Sequence, residues 1–207
     1  SYGQVLMIVG IFNVVFAFGL SKLVYQQLNK AQAQGAVLNI LVSCVFLGLI
    51  AASLLFISST YIANFFDNQL LSSLLKIYAF SILFTFISEI FKSILTHFYQ
   101  TEKIALVSLI HNLIRVASIF TAIHFYSSIE LLFLLLLVVE GIQFVLVFIF
   151  SPKNILKGRL DLKDVMLNLK DGLPLALSGA ASILLVQTDG LMISKMLGTE
   201  DYAIFRM

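Results

Sequence analysis

Six long apolar stretches divide the 207-residue chain, and they constrain its fold more than any other feature. A helix needs about 20 mainly apolar residues to cross the roughly 30 Å hydrocarbon core of a bilayer, and every stretch reaches that length. None shows the period-2 alternation of a strand, and a backbone in lipid must satisfy its own hydrogen bonds, so the stretches predict helices. They cover approximately residues 5–25, 35–58, 70–97, 104–125, 130–150 and 173–197.

Composition agrees with a membrane protein, since 60% of the residues are hydrophobic and 12% are charged. Soluble domains carry about 25% charged residues. The net charge of +2 does not favour nucleic-acid binding, the single Cys44 excludes an internal disulfide, and no motif indicates a metal or cofactor. We therefore predict an all-α, polytopic bundle of six complete transmembrane helices plus the start of a further one. The chain begins without Met or a basic leader and ends soon after a polar break, so we expect a piece of a longer protein.

The charges of the predicted loops give the bundle an orientation. The loops at 59–69, 126–129 and 199–202 contain no Lys or Arg, whereas those on the other side contain Lys30, Lys103, Lys153, Lys157, Arg159, Lys163 and Lys170. By the positive-inside rule the basic side is cytoplasmic. The first span then runs inward, which implies a preceding helix. The basic segment 151–172 is either an amphipathic helix on an anionic leaflet or a solvated linker.

Charged residues inside the predicted spans are the candidates for function, because an unpaired charge in lipid costs several kcal/mol. Glu89 and Lys92 are three residues apart on one helical face, which favours a local ion pair near the cytoplasmic end. Lys76 lies near the outer boundary, where it either extends to the interface or lines an outer vestibule.

Arg115 lies in the middle of its span, far from either interface. An Arg keeps its proton and needs a permanent partner or water. Glu140 has a comparable depth in the next span. One interpretation is a buried ion pair that joins the two helices. The other, which we favour, is a cation facing a cavity for an anionic substrate, since the guanidinium donates two parallel hydrogen bonds to a phosphate.

Asp189 follows Gln187 and Thr188 in the last span. This polar cluster binds a coupling cation or proton, or it forms hydrogen bonds between helices. We take Arg115, Lys76, Lys92 and Glu140 as candidate substrate-binding residues, and Asp189 and Glu89 as candidate ion-coupling residues. The chain contains no phosphate-binding glycine loop, no metal-binding His pair and no nucleophile with a plausible base, so no enzyme is predicted.

The order of several short motifs resembles the polysaccharide flippases, the O-antigen-type (Wzx-like) exporters of lipid-linked oligosaccharides. Asp171-Gly172-Leu173-Pro174 opens a span that contains Gln187-Thr188-Asp189-Gly190 and ends at Leu197-Gly198-Thr199-Glu200-Asp201-Tyr202, which is similar to the family's seventh helix. Tyr2-Gly3 and Phe18-Gly19-Leu20 are similar to the start and end of its second helix. Helix lengths and loop order agree over all 207 residues.

The resemblance implies membership of the multidrug/oligosaccharidyl-lipid/polysaccharide exporter superfamily, whose members have about 12–14 helices in two pseudo-symmetric halves. Residues 1–150 would hold helices two to six, residues 151–172 a basic cytoplasmic loop, and residues 173–207 helix seven and the start of helix eight. Such proteins flip undecaprenyl-pyrophosphate-linked sugars across the bacterial inner membrane through a cationic cavity. Arg115 matches that cavity by depth, and Asp189 matches the acid of the seventh helix.

A flippase that works by alternating access is therefore the leading hypothesis. Its expected partners are the lipid-linked oligosaccharide, the bilayer, and a polysaccharide polymerase with its chain-length regulator. The alternatives are a cation-coupled multidrug antiporter of the same superfamily, a membrane-embedded polymerase or acyltransferase, and a purely structural membrane subunit.

Overall fold

The computed structural model describes residues 2–28, 33–126, 128–152 and 160–196. Within these ranges the regular structure is helical throughout, as the apolar stretches predict. A π-helical turn, Ala122–Tyr126, follows the fifth of seven α-helices. The helices are α1 (Tyr2–Leu28), α2 (Ala33–Phe65), α3 (Leu70–Tyr78), α4 (Ser81–His97), α5 (Thr101–Thr121), α6 (Ile129–Phe150) and α7 (Leu162–Met196).

Four helical segments are long and apolar enough to cross a membrane, so the chain is a multi-pass membrane protein. They correspond to the predicted spans at 35–58, 70–97, 104–125 and 130–150. In α1 the described apolar part is shorter, Tyr2–Phe16, and α7 is not among the four. The count of six complete spans stays a prediction, and the predicted start of another helix lies outside the described residues. The four segments are Val37–Phe65, Leu70–His97, Thr101–His124 and Ile129–Phe150.

Contacts in the turn between α2 and α3 show which helix ends share one side of the bundle. The Asn68 side-chain amide donates to Oε1 of Gln4 at 3.1 Å, so α1 begins beside this turn. Nζ of Lys195 donates to Oδ2 of Asp67 at 2.6 Å, so α7 ends there. This arrangement agrees with the alternating directions that the sequence predicts, in which the α2–α3 turn lies on the outer side.

The start of α7 differs from the predicted boundary. The predicted span begins at residue 173, whereas the helix begins at Leu162, inside the basic segment 151–172, and it continues through Pro174. Asp161 explains the earlier start, because its Oδ1 accepts from the backbone N–H of Lys163 at 2.8 Å and caps the helix. Residues 162–172 of the basic segment are therefore helical and belong to α7, and residues 153–159 lie outside the described part of the chain.

Asn39, near the beginning of α2, anchors the first residues of α7 through hydrogen bonds. Its Oδ1 accepts from the Asp161 backbone N–H at 3.0 Å, and its Nδ2 donates to Oδ2 of Asp164 at 3.2 Å. Ser43, one turn later, donates to the Val165 carbonyl at 3.3 Å. Both side chains are buried, so these bonds join α2 and α7 where water does not compete.

A local break separates α3 from α4 within one membrane span. The Ser81 hydroxyl donates to the Tyr78 carbonyl at 2.6 Å, and the Thr85 hydroxyl donates to the Ser81 carbonyl at 2.9 Å. Hydroxyl groups that bond back to the preceding turn compete with the backbone ladder and bend helices. The break lies immediately after Tyr78, a residue that contributes to the polar chain described below.

The helices pack through large apolar side chains at their centre and through one close approach of α2 to α4. Phe86 and Phe133 are among the fully buried side chains. A Cβ added to Gly48 of α2 would lie 2.9 Å from Leu83 Cδ2 and 3.4 Å from Phe86 Cδ2. Small residues at such positions let helices in lipid come close, because dispersion contacts hold them together where burial from water does not.

Candidate functional site

A chain of polar side chains crosses the interior of the bundle, and Glu140 of α6 is at its centre. Oε1 of Glu140 accepts a hydrogen bond from the Tyr78 hydroxyl at 3.4 Å and lies 3.5 Å from Nε2 of His111. The three residues come from α3, α5 and α6 and are each less than a tenth exposed. Three elements that are separated in sequence thus meet at one carboxylate.

Gln143 connects this carboxylate to a second charged pair. With the Gln143 amide oriented to satisfy its neighbours, its nitrogen donates to Oε2 of Glu140 at 3.2 Å. Its oxygen then accepts from Nζ of Lys92 at 2.8 Å. Lys92 also donates to Oε1 of Glu89 at 2.9 Å, the local ion pair that their spacing indicates. The polar chain therefore extends along α3 and α4 over roughly 20 Å, from Tyr78 to Lys92.

Arg115 lies at the Tyr78 end of the polar chain. Its guanidinium lies within interaction range of the Tyr2, Tyr78 and Glu140 side chains. Among the described residues, the ion pairs within 4.0 Å are Lys92–Glu89, His111–Glu140 and Lys195–Asp67, and Arg115 takes part in none of them. The buried Arg115–Glu140 ion pair, which is one of the two interpretations that the sequence offers for these residues, is thus not formed as a direct contact. The guanidinium has five N–H donors, more than one tyrosine oxygen can accept.

Aromatic packing fixes the two tyrosines that face Arg115. The Phe133 ring, which is fully buried, lies with its centroid 5.9 Å from that of Tyr2 and 5.4 Å from that of Tyr78. Rings at such distances stabilise one another and restrict side-chain rotation. Both tyrosines beside the guanidinium are therefore restricted in their rotation.

The charges of the polar chain balance. Arg115 and Lys92 are cations, Glu140 and Glu89 are anions, and His111 adds a positive charge only when it is protonated. Two positive and two negative charges in one network reduce the cost of placing ionised groups inside the bundle. One more proton, or one bound anion beside Arg115, changes this balance.

Of the remaining predicted site residues, Lys76 lies apart from the polar chain. Nζ of Lys76 lies 5.8 Å from the centroid of the Phe56 ring, a cation–π contact on the half-exposed outer surface. Asp189 is in α7, but its side chain is outside the described part of the structure. The structure thus brings together Arg115, Glu140, Lys92 and Glu89, and it places Lys76 elsewhere.

Three neutral polar residues of the polar chain, Tyr2, Tyr78 and Gln143, were not predicted as site residues. Gln143 has a sequence signal that points to it, since it follows Glu140 by three residues and shares its helical face. Tyr2 and Tyr78 have none, because their role depends on which helices are neighbours.

Among the residues that the structure describes, two apolar grooves of about 620 and 320 Å³ open on the surface of the bundle, and Arg115 lines neither. The larger one follows α6 at Leu137, Gly141 and Val145, with Phe84 of α4 on its other side. The smaller one lies between α2 and the α3–α4 break. Their walls are almost entirely apolar, which suits lipid chains better than a charged group.

Comparison with known proteins gives one match. The sequence model of a family described as "Polysaccharide biosynthesis protein" matches residues 1–207. Neither the comparison with curated proteins nor that with solved structures found a match.

Proposed function

Because the chain belongs to the family of polysaccharide biosynthesis proteins, as its motifs indicate, we propose that it is a flippase for a lipid-linked oligosaccharide. The substrate would be an undecaprenyl-pyrophosphate-linked repeat unit of O-antigen or another surface polysaccharide. The protein would act as a transporter, without enzymatic chemistry, in the bacterial inner membrane. A polysaccharide polymerase and a chain-length regulator would then receive the product on the far side.

The observation that carries this proposal is the state of the Arg115 guanidinium. It lies in the middle of a membrane span beside Tyr2 and has no carboxylate within ion-pair distance among the described residues. A cation with spare donors is suited to a diphosphate, which accepts two parallel hydrogen bonds from a guanidinium. Arg115 is therefore the proposed contact for the diphosphate.

Glu140 and Lys92 give this site a way to release its anion. The Glu140 carboxylate lies close enough to interact with Arg115 and competes with a bound anion for the guanidinium. Lys92, farther along the polar chain, supplies a second positive charge toward the other end of α4. A headgroup that moves between the two cations is never far from a positive charge, while its lipid tail stays in the bilayer.

Replacement of Arg115 tests the proposal in a strain that lacks the gene. Arg115→Ala is expected to lower surface polysaccharide roughly 10- to 100-fold, the factor that corresponds to about 1.5–3 kcal/mol for a hydrogen bond to a charged group. Arg115→Lys keeps the charge but loses the two-pronged geometry, so its export should be intermediate. Immunoblotting of the polymer, with the protein level measured in the same membranes, gives the result.

Val116→Ala is the matched control, because Val116 is the next residue and 66% exposed on the lipid side. It should export as the wild type does. Normal export by Arg115→Ala at a normal protein level would contradict the assigned role of this residue.

A cation-coupled antiporter of the same superfamily is the second candidate, and the two carboxylates of the polar chain favour it. Glu140 and Glu89 both lie inside membrane spans, as coupling acids do in transporters. This candidate predicts that expression of the protein raises resistance to cationic drugs and that polysaccharide export does not depend on it.

A further inference from the structure

Few buried side chains attach α5 to the rest of the bundle. In the described structure Val107 and His111 are the buried residues of this helix. On its outer face Leu109, Leu113 and Val116 are exposed by 58–66%. Because so little of its surface is packed, the attachment of α5 depends strongly on what His111 contacts.

Irregular backbone lies at both ends of α5. Tyr99, in the turn before the helix, has a φ of 55°, a left-handed conformation that is uncommon for a residue with a side chain. The π-helical turn Ala122–Tyr126 follows its last residue. π-Helical turns occur often at functional sites, and hinges are made by residues at element ends that absorb backbone changes. α5 therefore has the features of a helix that tilts as a unit.

His111 faces Glu140 at a distance that a small approach of the two side chains turns into a charge-assisted hydrogen bond. Nε2 of His111 is buried, lies 3.5 Å from Oε1 of Glu140, and forms no hydrogen bond. A neutral imidazole directs either a lone pair or a neutral N–H at the carboxylate, depending on its tautomer, whereas the doubly protonated ring donates to it and forms an ion pair. The contact between α5 and α6 is thus weak in one protonation state and strong in the other.

The surroundings of this pair are polar on several sides. Charged or titratable groups face it from α1, α3, α4 and α5, and Gln143 holds the second Glu140 oxygen from α6. The charges of the polar chain sum to zero while His111 is neutral. A proton added to His111 therefore leaves the polar chain with one net positive charge. These groups are Tyr2, Tyr78, Lys92, Glu89 and Arg115.

We propose that the His111–Glu140 pair binds a proton inside the membrane and that this proton fastens α5 to α6. The proton comes from water, bonds to Nε2 of His111, and is shared with Oε1 of Glu140. Its return to water leaves a neutral imidazole beside a carboxylate, and α5 is then free to tilt at its two ends. Buried His and acidic side chains in membrane spans often carry protons. This site goes beyond the proposed flippase activity and does not depend on the substrate.

A titration of His111 tests the proton site directly. The full-length protein, labelled with ¹⁵N-histidine, is placed in lipid nanodiscs, and its ring nitrogen signals are followed by NMR across pH. The signal that His111→Gln removes belongs to this residue. We expect it to change in one protonation step, and Glu140→Gln to shift that step.

His124→Gln is the control, because His124 is exposed and stacked on Phe120, with ring centroids 5.5 Å apart, away from Glu140. It should leave the His111 step unchanged. Tyr78→Phe, which removes one donor to Glu140 and no charge, should produce a smaller shift and serves if Glu140→Gln does not fold. A His111 signal that never titrates would overturn the proposal. So would a signal that titrates in Glu140→Gln and in Tyr78→Phe just as it does in the wild type.

Hydrogen exchange tests the fastening of α5. When His111 loses its proton, the amides of α5 should exchange at least roughly tenfold faster relative to those of α6, the factor set by loss of a hydrogen bond to a charged group. In His111→Gln the exchange rate of the α5 amides relative to the α6 amides should stay high at every pH. An exchange rate of α5 relative to α6 that is the same in both protonation states of His111 would refute the proposed fastening. Both readouts are independent of transport, so they can succeed or fail separately from the flippase proposal.

Discussion

Gln143 is the residue through which the Lys92 ammonium and the Glu140 carboxylate are connected. A side chain that donates to one charge and accepts from the other satisfies both without adding charge. Its removal would leave the buried Glu140 carboxylate and the partly buried Lys92 ammonium each short of a partner, which is more costly than the loss of one neutral hydrogen bond.

We therefore expect Gln143→Met, which keeps the volume and loses both polar contacts, to lower the free energy of unfolding by about 1–3 kcal/mol. Unfolding of the purified full-length protein in detergent measures this change. Ile142→Met, at the preceding position, is the control and should change stability by less than about 1 kcal/mol. Equal stability of the two variants would show that the Gln143 contacts do not stabilise the bundle.

The sequence predicts the charged members of the polar chain better than the neutral ones. Arg115, Glu140, Lys92 and Glu89 stand out because a charge in an apolar stretch needs an explanation. Tyr78 does not stand out, since tyrosine is common in membrane helices and only contact between helices reveals its role. The pairing of Glu140 with His111 was also not predicted, because the sequence gives the depth of each residue and not its helical neighbours.

At the level of elements, α2 approaches α4 closely at Gly48. A methyl group there would meet the flexible end of Leu83, which can move, whereas a larger side chain would also meet Phe86. Gly141 of α6 offers the opposite case, because nothing lies within 4 Å of a Cβ built on it.

Gly48→Leu should thus destabilise the protein by about 1–3 kcal/mol through overpacking, and Gly141→Leu should not. Thermal denaturation of the two purified variants, compared with the wild type, tests the difference. A wild-type melting temperature for Gly48→Leu would mean that α2 and α4 are farther apart than described.

Helix boundaries were predictable where polar residues interrupt the apolar stretches, and less so where a proline stands. The motif Gly172-Leu173-Pro174 indicates a helix start, because proline is favoured in a first turn. In the structure Asp161 caps the helix eleven residues earlier, and Pro174 lies inside it. Proline is tolerated inside membrane helices, since neighbouring groups satisfy the freed carbonyl, so a capping carboxylate is the better signal here.

For the whole molecule, the sequence predicts the fold class and the direction of the membrane spans well. It predicts poorly which helices pack against each other. Apolar length gives the four membrane-crossing segments, and the basic loops give a direction that the shared end of α1, α2 and α7 agrees with. Which helices are neighbours depends on packing in three dimensions, and hydropathy does not contain that information. The polar chain therefore became visible only in the structure.

The whole-molecule account combines the membership in the polysaccharide biosynthesis family with the Arg115 guanidinium, which has no carboxylate within ion-pair distance among the described residues. It implies that the anionic headgroup of a lipid-linked oligosaccharide crosses the membrane beside α5. It also implies that export and protein folding respond to different residues, with Arg115 important for export and Gly48 for stability.

Translocation in reconstituted vesicles is the most direct test of this account. The full-length protein is incorporated into liposomes that contain a radiolabelled lipid-linked oligosaccharide, and a membrane-impermeant oxidant measures how much glycan faces outward over time. The wild type should exchange the glycan between leaflets, and Arg115→Ala should do so roughly tenfold or more slowly. Exchange no faster than in protein-free liposomes, or equal rates for the wild type and Arg115→Ala, would contradict the account.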